Sequence, residues 1–377
     1  MRFLHTGDLH LDSPFCSTDA LRSDKRRAMQ REALGRIFEL AKREGCELIL
    51  IAGDLFDGKY VTPETEKYVT ELFGGTDIPV VIAPGNHDPY INGSFYKKVE
   101  LPDNVYVFSS DELQCFELPT IGTRVWGYAF TSSVMTRSPL NGQTPPEDDG
   151  YLNLLCAHAD ITSPISRYCP LTVGDIELFG IDYAALGHNH NRYDTEASGR
   201  DHIRYCGFAE GRSFDELGDG GVYIVDVEYG RAPVVERRIV STHRYEIEEL
   251  DISELNGEAE IKERIAAVCA RAAQGSPAFM RLILTGMADS SEIPEPRRLE
   301  EELSVNGLTL EIRDMTIPAA DASALESDIS IRGAFYRTLY SGLIDKDPKV
   351  RERTALALQI GLSAIDGKSI VGGKREK

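Results

Sequence analysis

The chain is short of basic side chains. Against 61 aspartates and glutamates it carries only 41 lysines and arginines, a formal charge of −20 at pH 7 with histidine neutral. Phosphate backbones attract basic surface, so unaided grip on DNA is expected to be weak. Long apolar runs are also absent. The longest, such as Leu48-Ile49-Leu50-Ile51-Ala52, have the length of a strand, which argues against a membrane span. Arg2, His5 and Asp8 stand where a signal peptide would be apolar. Cysteine pairs are missing as well. The seven cysteines (16, 46, 115, 156, 169, 206 and 269) are an odd count without a CxxC, and several sit inside apolar runs. They read as reduced and structural, and the chain is expected to be cytoplasmic, with no membrane association.

What is present is a series of five motifs in order: Asp8-Leu9-His10, Gly53-Asp54-Leu55-Phe56-Asp57, Gly85-Asn86-His87-Asp88, Ala157-His158-Ala159 and Gly187-His188-Asn189-His190. Each closes an apolar, strand-like run: Arg2 to Gly7, Glu47 to Ala52, Ile78 to Pro84, Tyr151 to Cys156, and Tyr183 to Leu186. Ligands at the carboxyl ends of neighbouring strands converge on one crevice. Singly the motifs are weak, since Asp-x-His is common in surface turns and a lone His158 would be read as a core residue. Their conjunction is not, because five of the eight histidines fall inside them.

At 377 residues the chain exceeds one ordinary domain. Up to about Thr242, short strands alternate with amphipathic helices, chiefly Leu21 to Arg43 and Thr62 to Phe73. Strand-like runs follow at Val222 to Val227 and Val234 to Val240. The pattern is α/β with a strand-rich finish. Thr131 to Gly150, with Pro139, Pro145 and Pro146, reads as a long loop able to overhang the site. From Tyr245 a second unit runs strand (to Ile252), helix (Glu258 to Ala273), strand (Phe279 to Leu284), helix (Pro296 to Leu303) and strand (Leu308 to Ile312). Ile317-Pro318-Ala319-Ala320 reads as a linker to two helices, Ser330 to Leu343 and Pro348 to Ile365, and Gly372 to Lys377 as a disordered tail. Phe335, Tyr336, Leu339, Tyr340 and Leu343 form a stripe that a helix pair cannot bury by itself, so it packs on the body or receives a partner.

Imidazole, carboxylate and amide oxygen without thiolate suit Mn²⁺ or Fe²⁺ and argue against structural zinc. In a two-metal hydrolase one carboxylate bridges ions about 3.5–4 Å apart, and Asp54, after a strand and a glycine, is the candidate. Asp8, His10 and His190 complete one ion's shell. Asn86, His158 and His188 complete the other. Such a pair supports hydrolysis of phosphate esters by water. His87 points away from its neighbour Asn86, which suits a proton donor; Asp57 is the candidate to hold its imidazole, with Asp88 the rival. His5, His202 and His243 read as structural. Arg22, Lys25, Arg26, Arg27 and Arg31 read as a solvated helix face, because Asp24 and Glu32 are interleaved.

In order and spelling the five motifs resemble the calcineurin-like metallophosphoesterases. Leu4-His5-Thr6-Gly7-Asp8-Leu9-His10-Leu11-Asp12-Ser13-Pro14-Phe15, the Gly53 to Asp57 run and Ala185-Leu186-Gly187-His188-Asn189-His190 resemble bacterial DNA repair exonucleases of the SbcD type. The resemblance implies a two-sheet α/β sandwich flanked by helices over residues 1–243, a small α/β capping domain over 244–316, and a C-terminal helix-loop-helix over 324–367. It implies the same seven metal ligands (Asp8, His10, Asp54, Asn86, His158, His188 and His190) and His87 as the catalytic histidine. The implied cofactor is a pair of divalent ions, Mn²⁺ first, with Fe²⁺ or Mg²⁺ as alternatives. The implied partners are DNA, a second copy of the chain, and an SbcC-type coiled-coil ATPase held by the C-terminal helices. One departure marks a divergent branch: Asp12 stands after Leu11 where SbcD proteins usually have glycine. The reading is a nuclease of DNA double-strand-break repair that leaves DNA grip to its ATPase partner. The alternative is a calcineurin-like phosphatase or small-molecule phosphodiesterase, which the acidic charge favours. A non-catalytic scaffold is disfavoured, since no ligand is missing.

Overall fold

The computed structural model describes residues 1–15, 20–58, 61–190, 200–288, 293–304, 307–318 and 322–365. The chain divides into two units, Met1–Arg244 and Tyr245–Lys377. The first opens with β1 (Arg2–Thr6), α1 (Ala20–Arg43), β2 (Leu48–Ile51), α2 (Pro63–Gly74), β3 (Val80–Ile82), α3 (Phe95–Lys98) and β4 (Val105–Val107). It continues through β5 (Gln114–Leu118), β6 (Thr123–Gly127), β7 (Leu152–His158), α4 (Val173–Phe179), β8 (Tyr183–Gly187), β9 (Ile203–Tyr205) and β10 (Gly218–Asp226). The strand β11 (Val234–Asp251) carries the chain into the second unit.

Two sheets result. In one, β1 to β4 lie parallel in sequence order, with β10 antiparallel on the other side of β1. In the other, β6 to β9 are parallel and β5 is antiparallel at the edge. Side-chain alternation sets the layers. Leu48 and Leu50 of β2 share a core with Leu154 and Cys156 of β7 and Tyr183 and Ala185 of β8, between the sheets. Ile49 and Ile51 turn the other way, onto Leu34 and Ile37 of α1 and Val69 and Phe73 of α2. Leu155, Ala157 and Leu186 cover the far face of the second sheet with Ile176 and Phe179 of α4. Strands buried on both faces read as continuous apolar runs, which is why they stood out in the sequence.

Helix starts follow local chemistry. The Thr62 hydroxyl accepts from the Thr65 N–H at 3.3 Å with Pro63 behind it, and Thr172 and Asp175 form a capping box ahead of α4. The two-sheet α/β sandwich is as expected. The strands β4, β5, β6 and β9 are not among the runs read from the sequence.

The second unit contains α5 (Gly257–Ala272), β12 (Ala278–Thr285), β13 (Met287–Ala288), α6 (Pro296–Leu303), β14 (Leu308–Asp314) and β15 (Ile317–Pro318). Three further helices follow: α7 (Ala322–Ser327), α8 (Ile331–Leu343) and α9 (Pro348–Ile365). β12 and β14 pair in parallel, and their alternate residues Met280, Leu282, Leu310 and Ile312 are buried with Ile261 and Ile265 of α5. Ile317-Pro318, expected as linker, instead pairs as β15 with β13. Ala319, Ala320, Cys16 and Gly372 to Lys377 lie outside the described residues. The aromatic stripe is also corrected. Tyr336 is buried with Leu325, Leu358 and Leu362, and Phe335, Leu339 and Leu343 pack on that cluster. The close fit depends on Gly361, where a Cβ would stand 2.2 Å from the Phe335 ring. α7, which the sequence did not disclose, supplies Leu325 and, with α9, covers the stripe apart from Tyr340. Ile331, Tyr340, Ile344 and Ile360 remain exposed. Among the described residues no helix is long and apolar enough to cross a membrane.

The two sheets of the first unit approach closely at Gly187. A Cβ there would stand 1.9 Å from the Ala52 carbonyl oxygen, and that backbone is itself pinned by the Ala52 N–H donating to Thr6 at 2.7 Å. Gly187→Ala is therefore expected to overpack the contact at a cost of about 1–3 kcal/mol. In a domain of this size each kcal/mol lowers the melting temperature by roughly 2–4 °C, so differential scanning calorimetry is expected to show a fall of several degrees. An unchanged melting temperature would contradict the contact.

Candidate metal centre

All five motifs lie at the carboxyl ends of parallel strands. Asp8 and His10 follow β1, Asp54 and Asp57 follow β2, Asn86 and His87 follow β3, His158 ends β7, and His188 and His190 follow β8. The loops after β1 and β2 are laced together: Asp8 N–H donates to Gly53 at 3.0 Å, His10 N–H to Asp54 at 2.9 Å, and Leu11 N–H to Leu55 at 2.9 Å. That lacing holds three predicted ligands in left-handed backbone, Asp8 at φ 49°, His10 at 47° and Asp54 at 48°, and His188 also has positive φ, at 105°. Such residues cost about 1–3 kcal/mol each and persist only where surrounding structure over-determines them. Asp54 needs a glycine beside it, because a Cβ on Gly85 would lie 2.2 Å from its Oδ1.

Among the described residues, three groups of imidazole and carboxylate donors each bring one donor atom per residue within 4.8 Å of the others: Asp8, His10 and His190; His10, Asp54 and His87; and Asp8, Asp54 and His158. Asp54 Oδ2 stands 3.6 Å from His10 Nε2 and 3.5 Å from His158 Nε2, a position between two donor sets. His190 Nε2 is 3.2 Å from His10 Nε2 and 3.7 Å from Asp8 Oδ1. Asn86 Oδ1 lies 2.9 Å from His158 Nε2. His188 falls in none of the three groups. Its backbone N–H donates to both Asp8 oxygens at 3.0 Å, and its ring lies 5.2 Å from that of His158. His87 stands at the edge with 47% of its side chain exposed, its Nδ1 2.7 Å from Asp57 Oδ1. Asp57 also accepts from the Ser13 hydroxyl at 2.8 Å. The rival Asp88 is turned inward, accepting from the Gly85 N–H at 2.7 Å and the Tyr96 hydroxyl at 2.6 Å.

The donors fit divalent cations. His158 Nδ1 lies 3.1 Å from the Ala52 carbonyl, which only accepts, so Nδ1 carries the proton and Nε2 turns a lone pair toward the Asn86 amide oxygen. Two acceptors face to face call for a cation between them. Burial holds the His158 imidazole neutral, down to about 3, and His10 likewise, to about 4. Burial also pushes the Asp8 carboxyl up to about 7, and the Asp54 charge adds to the shift. Carboxylates confined in this way are costly for the chain alone, and a cation removes that cost. His87 is raised above its usual value, first by its bond to Asp57.

Several residues at the centre were missed in the sequence. Glu216 is 4% exposed in its side chain, lies 2.7 Å from His190 Nδ1, and accepts from Arg212 Nη2 at 2.8 Å. Against burial, His190 and Arg212 hold the Glu216 carboxyl down to about 2. The buried Cys206 thiol sits 3.9 Å from Asp8 Oδ2. An Arg and a Glu four apart in a glycine-rich run look like any surface pair. The basic cluster on α1, expected as a solvated face, is in part a paired one: Arg27 pairs with Asp24, and Arg31 with Glu64 at 2.8 Å. The Arg22 side chain lies outside the described ones.

Glu216→Gln removes the charge that keeps the proton on His190 Nδ1. Partners of this kind are worth about 10–100-fold in metal affinity. Titration calorimetry with Mn²⁺ is expected to show a loss of that order, while an affinity within twofold of the parent would contradict the role.

Residues 1–192 match the family model described as calcineurin-like phosphoesterase. The chain is 26% identical over 313 residues to the uncharacterized metallophosphoesterase YhaO of Bacillus subtilis, covering 80% of this chain and 76% of that one. It is 26% identical over 259 residues to the SbcD component of the SbcCD nuclease of Staphylococcus epidermidis, covering 60% of this chain and 66% of that one. Among solved structures, TT1561 of Thermus thermophilus aligns with a TM-score of 0.38 and 13% identity, over 63% of this chain and 98% of the other. With more than half of its length inside the family match, the chain belongs to the calcineurin-like phosphoesterases, enzymes that hydrolyse phosphate esters with divalent metals.

Proposed function

We propose that this chain is a nuclease that hydrolyses DNA phosphodiesters with two Mn²⁺ ions, Fe²⁺ or Mg²⁺ being the alternatives. Asp8, His10 and His190 would hold one ion, Asn86, His158 and His188 the other, and Asp54 both. When bound, such ions supply Lewis acidity, activating water and offsetting charge on the phosphoryl oxygens. The chain's own groups do the rest. The observation that carries the reading is the exposed His87 imidazole at the edge of the buried donors, with its Nδ1 tied to Asp57 at 2.7 Å. That bond fixes the ring and favours its charged form, leaving Nε2 free to protonate a departing alkoxide. A nucleoside oxygen is a poor leaving group, so a diester of DNA needs that proton.

Similarity to the SbcD component of a nuclease supports DNA as substrate. We read residues 244–316 as a cap and 324–367 as the docking segment for a coiled-coil ATPase, which would meet the exposed Ile331, Tyr340, Ile344 and Ile360. A basic partner also answers the charge of −20. The protein would act as a cytoplasmic homodimer. The second reading, a phosphatase or small-molecule phosphodiesterase, is favoured by that same charge. Assays of linear DNA against cyclic nucleotides and para-nitrophenyl esters separate the two: ester turnover with DNA left intact would overturn the nuclease.

His87→Ala is expected to keep both metals and lose roughly 10²–10⁴-fold in DNA turnover. Its loss on a para-nitrophenyl diester should be much smaller, because that leaving group departs without a proton. Asp54→Ala is expected to lose metal, read by elemental analysis. Equal losses of His87→Ala on both substrates would remove the proton-donor role.

A further inference from the structure

The long segment after Thr131 and the loop after His158 meet beside the metal centre. Met135 and Tyr168 form a parallel bridge, in which the Met135 N–H donates to the Arg167 carbonyl at 2.9 Å and the Cys169 N–H to the Met135 carbonyl at 2.6 Å. Cys169, at φ 52°, is fully buried, and its thiol lies 3.8 Å from the Arg137 carbonyl. Its neighbour Tyr168 stays outside. The Tyr168 ring lies 5.0 Å from that of His188, tilted by 41°, and 38% of the residue is exposed. A tyrosine that packs on a predicted metal ligand and also meets solvent is placed to stack on whatever the centre holds.

Charge points the same way. Arg137 and Arg167 sit on the two bridged segments, both exposed, and neither guanidinium has an ion-pair partner among the described residues. Other guanidiniums of this acidic chain are paired, among them Arg31 with Glu64 at 2.8 Å, Arg124 with Asp149 at 2.6 Å, and Arg212 with Glu216 at 2.8 Å. Two uncommitted cations beside an aromatic platform are the components that bind a nucleic acid strand, the cations on phosphates and the ring on an unpaired base.

We propose that Tyr168, Arg137 and Arg167 form a rim that holds single-stranded nucleic acid next to the metal centre. The proposal rests on the phosphodiesterase reading and deepens it by naming a single strand as the species presented to the ions. Inside a duplex both faces of each base are covered by stacked neighbours, so the interior of a duplex would have to fray to meet Tyr168.

Binding of a labelled twelve-nucleotide single strand, followed by fluorescence anisotropy, tests this. The full chain is used with Mn²⁺, in a His87→Ala background to slow cleavage. Tyr168→Ala is expected to weaken binding by about 5–100-fold, and Tyr168→Phe to restore it. Arg137→Gln with Arg167→Gln is expected to flatten the salt dependence by roughly 1.4 in log–log slope, about 0.7 for each lost phosphate contact. Binding and salt slope equal to the parent in all variants would overturn the rim, and DNA cleavage by the parent would then still stand. Loss of binding in the variants, with a chain retaining His87 that cleaves no DNA, would support the rim and remove the nuclease. A parent that binds no strand at all overturns the rim outright.

Discussion

The structure depends on one electrostatic arrangement: two nearly buried carboxylates, Asp8 and Asp54, set among imidazoles that burial keeps neutral. Two features of that arrangement are unfavourable for a polypeptide alone. Desolvation lifts Asp8 toward a protonated state, and the ring nitrogens of His10 and His190 face each other at 3.2 Å. Each unfavourable feature becomes favourable with divalent cations present. Carboxylates then gain a partner, and nitrogen lone pairs gain a Lewis acid in place of another acceptor. The fold is best understood as the scaffold that tolerates this arrangement until the ions arrive.

That tolerance is built from backbone. Left-handed Asp8, His10 and Asp54 are held by the lacing of two loops, and the sheet-to-sheet approach at Ala52 and Gly187 brings β2 against β8. Outer residues then orient the donors. The Ala52 carbonyl sets the His158 tautomer, Glu216 sets that of His190, and Asp57 holds His87. His5 works at one further remove, buried between the Tyr183 hydroxyl at 3.1 Å and the Leu186 carbonyl at 3.2 Å, where it ties β1 to β8.

Legibility in the sequence followed this division. The donors that the structure brings together lie at the ends of apolar runs buried on both faces, and a glycine stands directly before Asp8, Asp54, Asn86 and His188, though not before His158. The choice between Asp57 and Asp88 was not readable. Both follow their strands at similar distance, and only the inward pull of Tyr96 and the Gly85 amide on Asp88 decides it. Glu216 and Arg212 carry no local signal, since their importance comes from burial that only the assembled sheets create. The aromatic stripe of α8 misled in the opposite sense. Its amphipathicity was real, but the surface that covers it comes from α7 and α9, and α7 is too short to announce itself.

An acidic chain that acts on phosphate esters has to concentrate positive charge where chemistry happens. Here that charge is expected to be metallic at the centre and cationic at its edge. The most direct test of the central claim is anomalous scattering from crystals soaked in manganese. Two peaks about 3.5–4 Å apart on either side of the Asp54 carboxylate are the expected result. A soaked crystal with no peak among Asp8, His10, Asp54, Asn86, His158, His188 and His190 would contradict it.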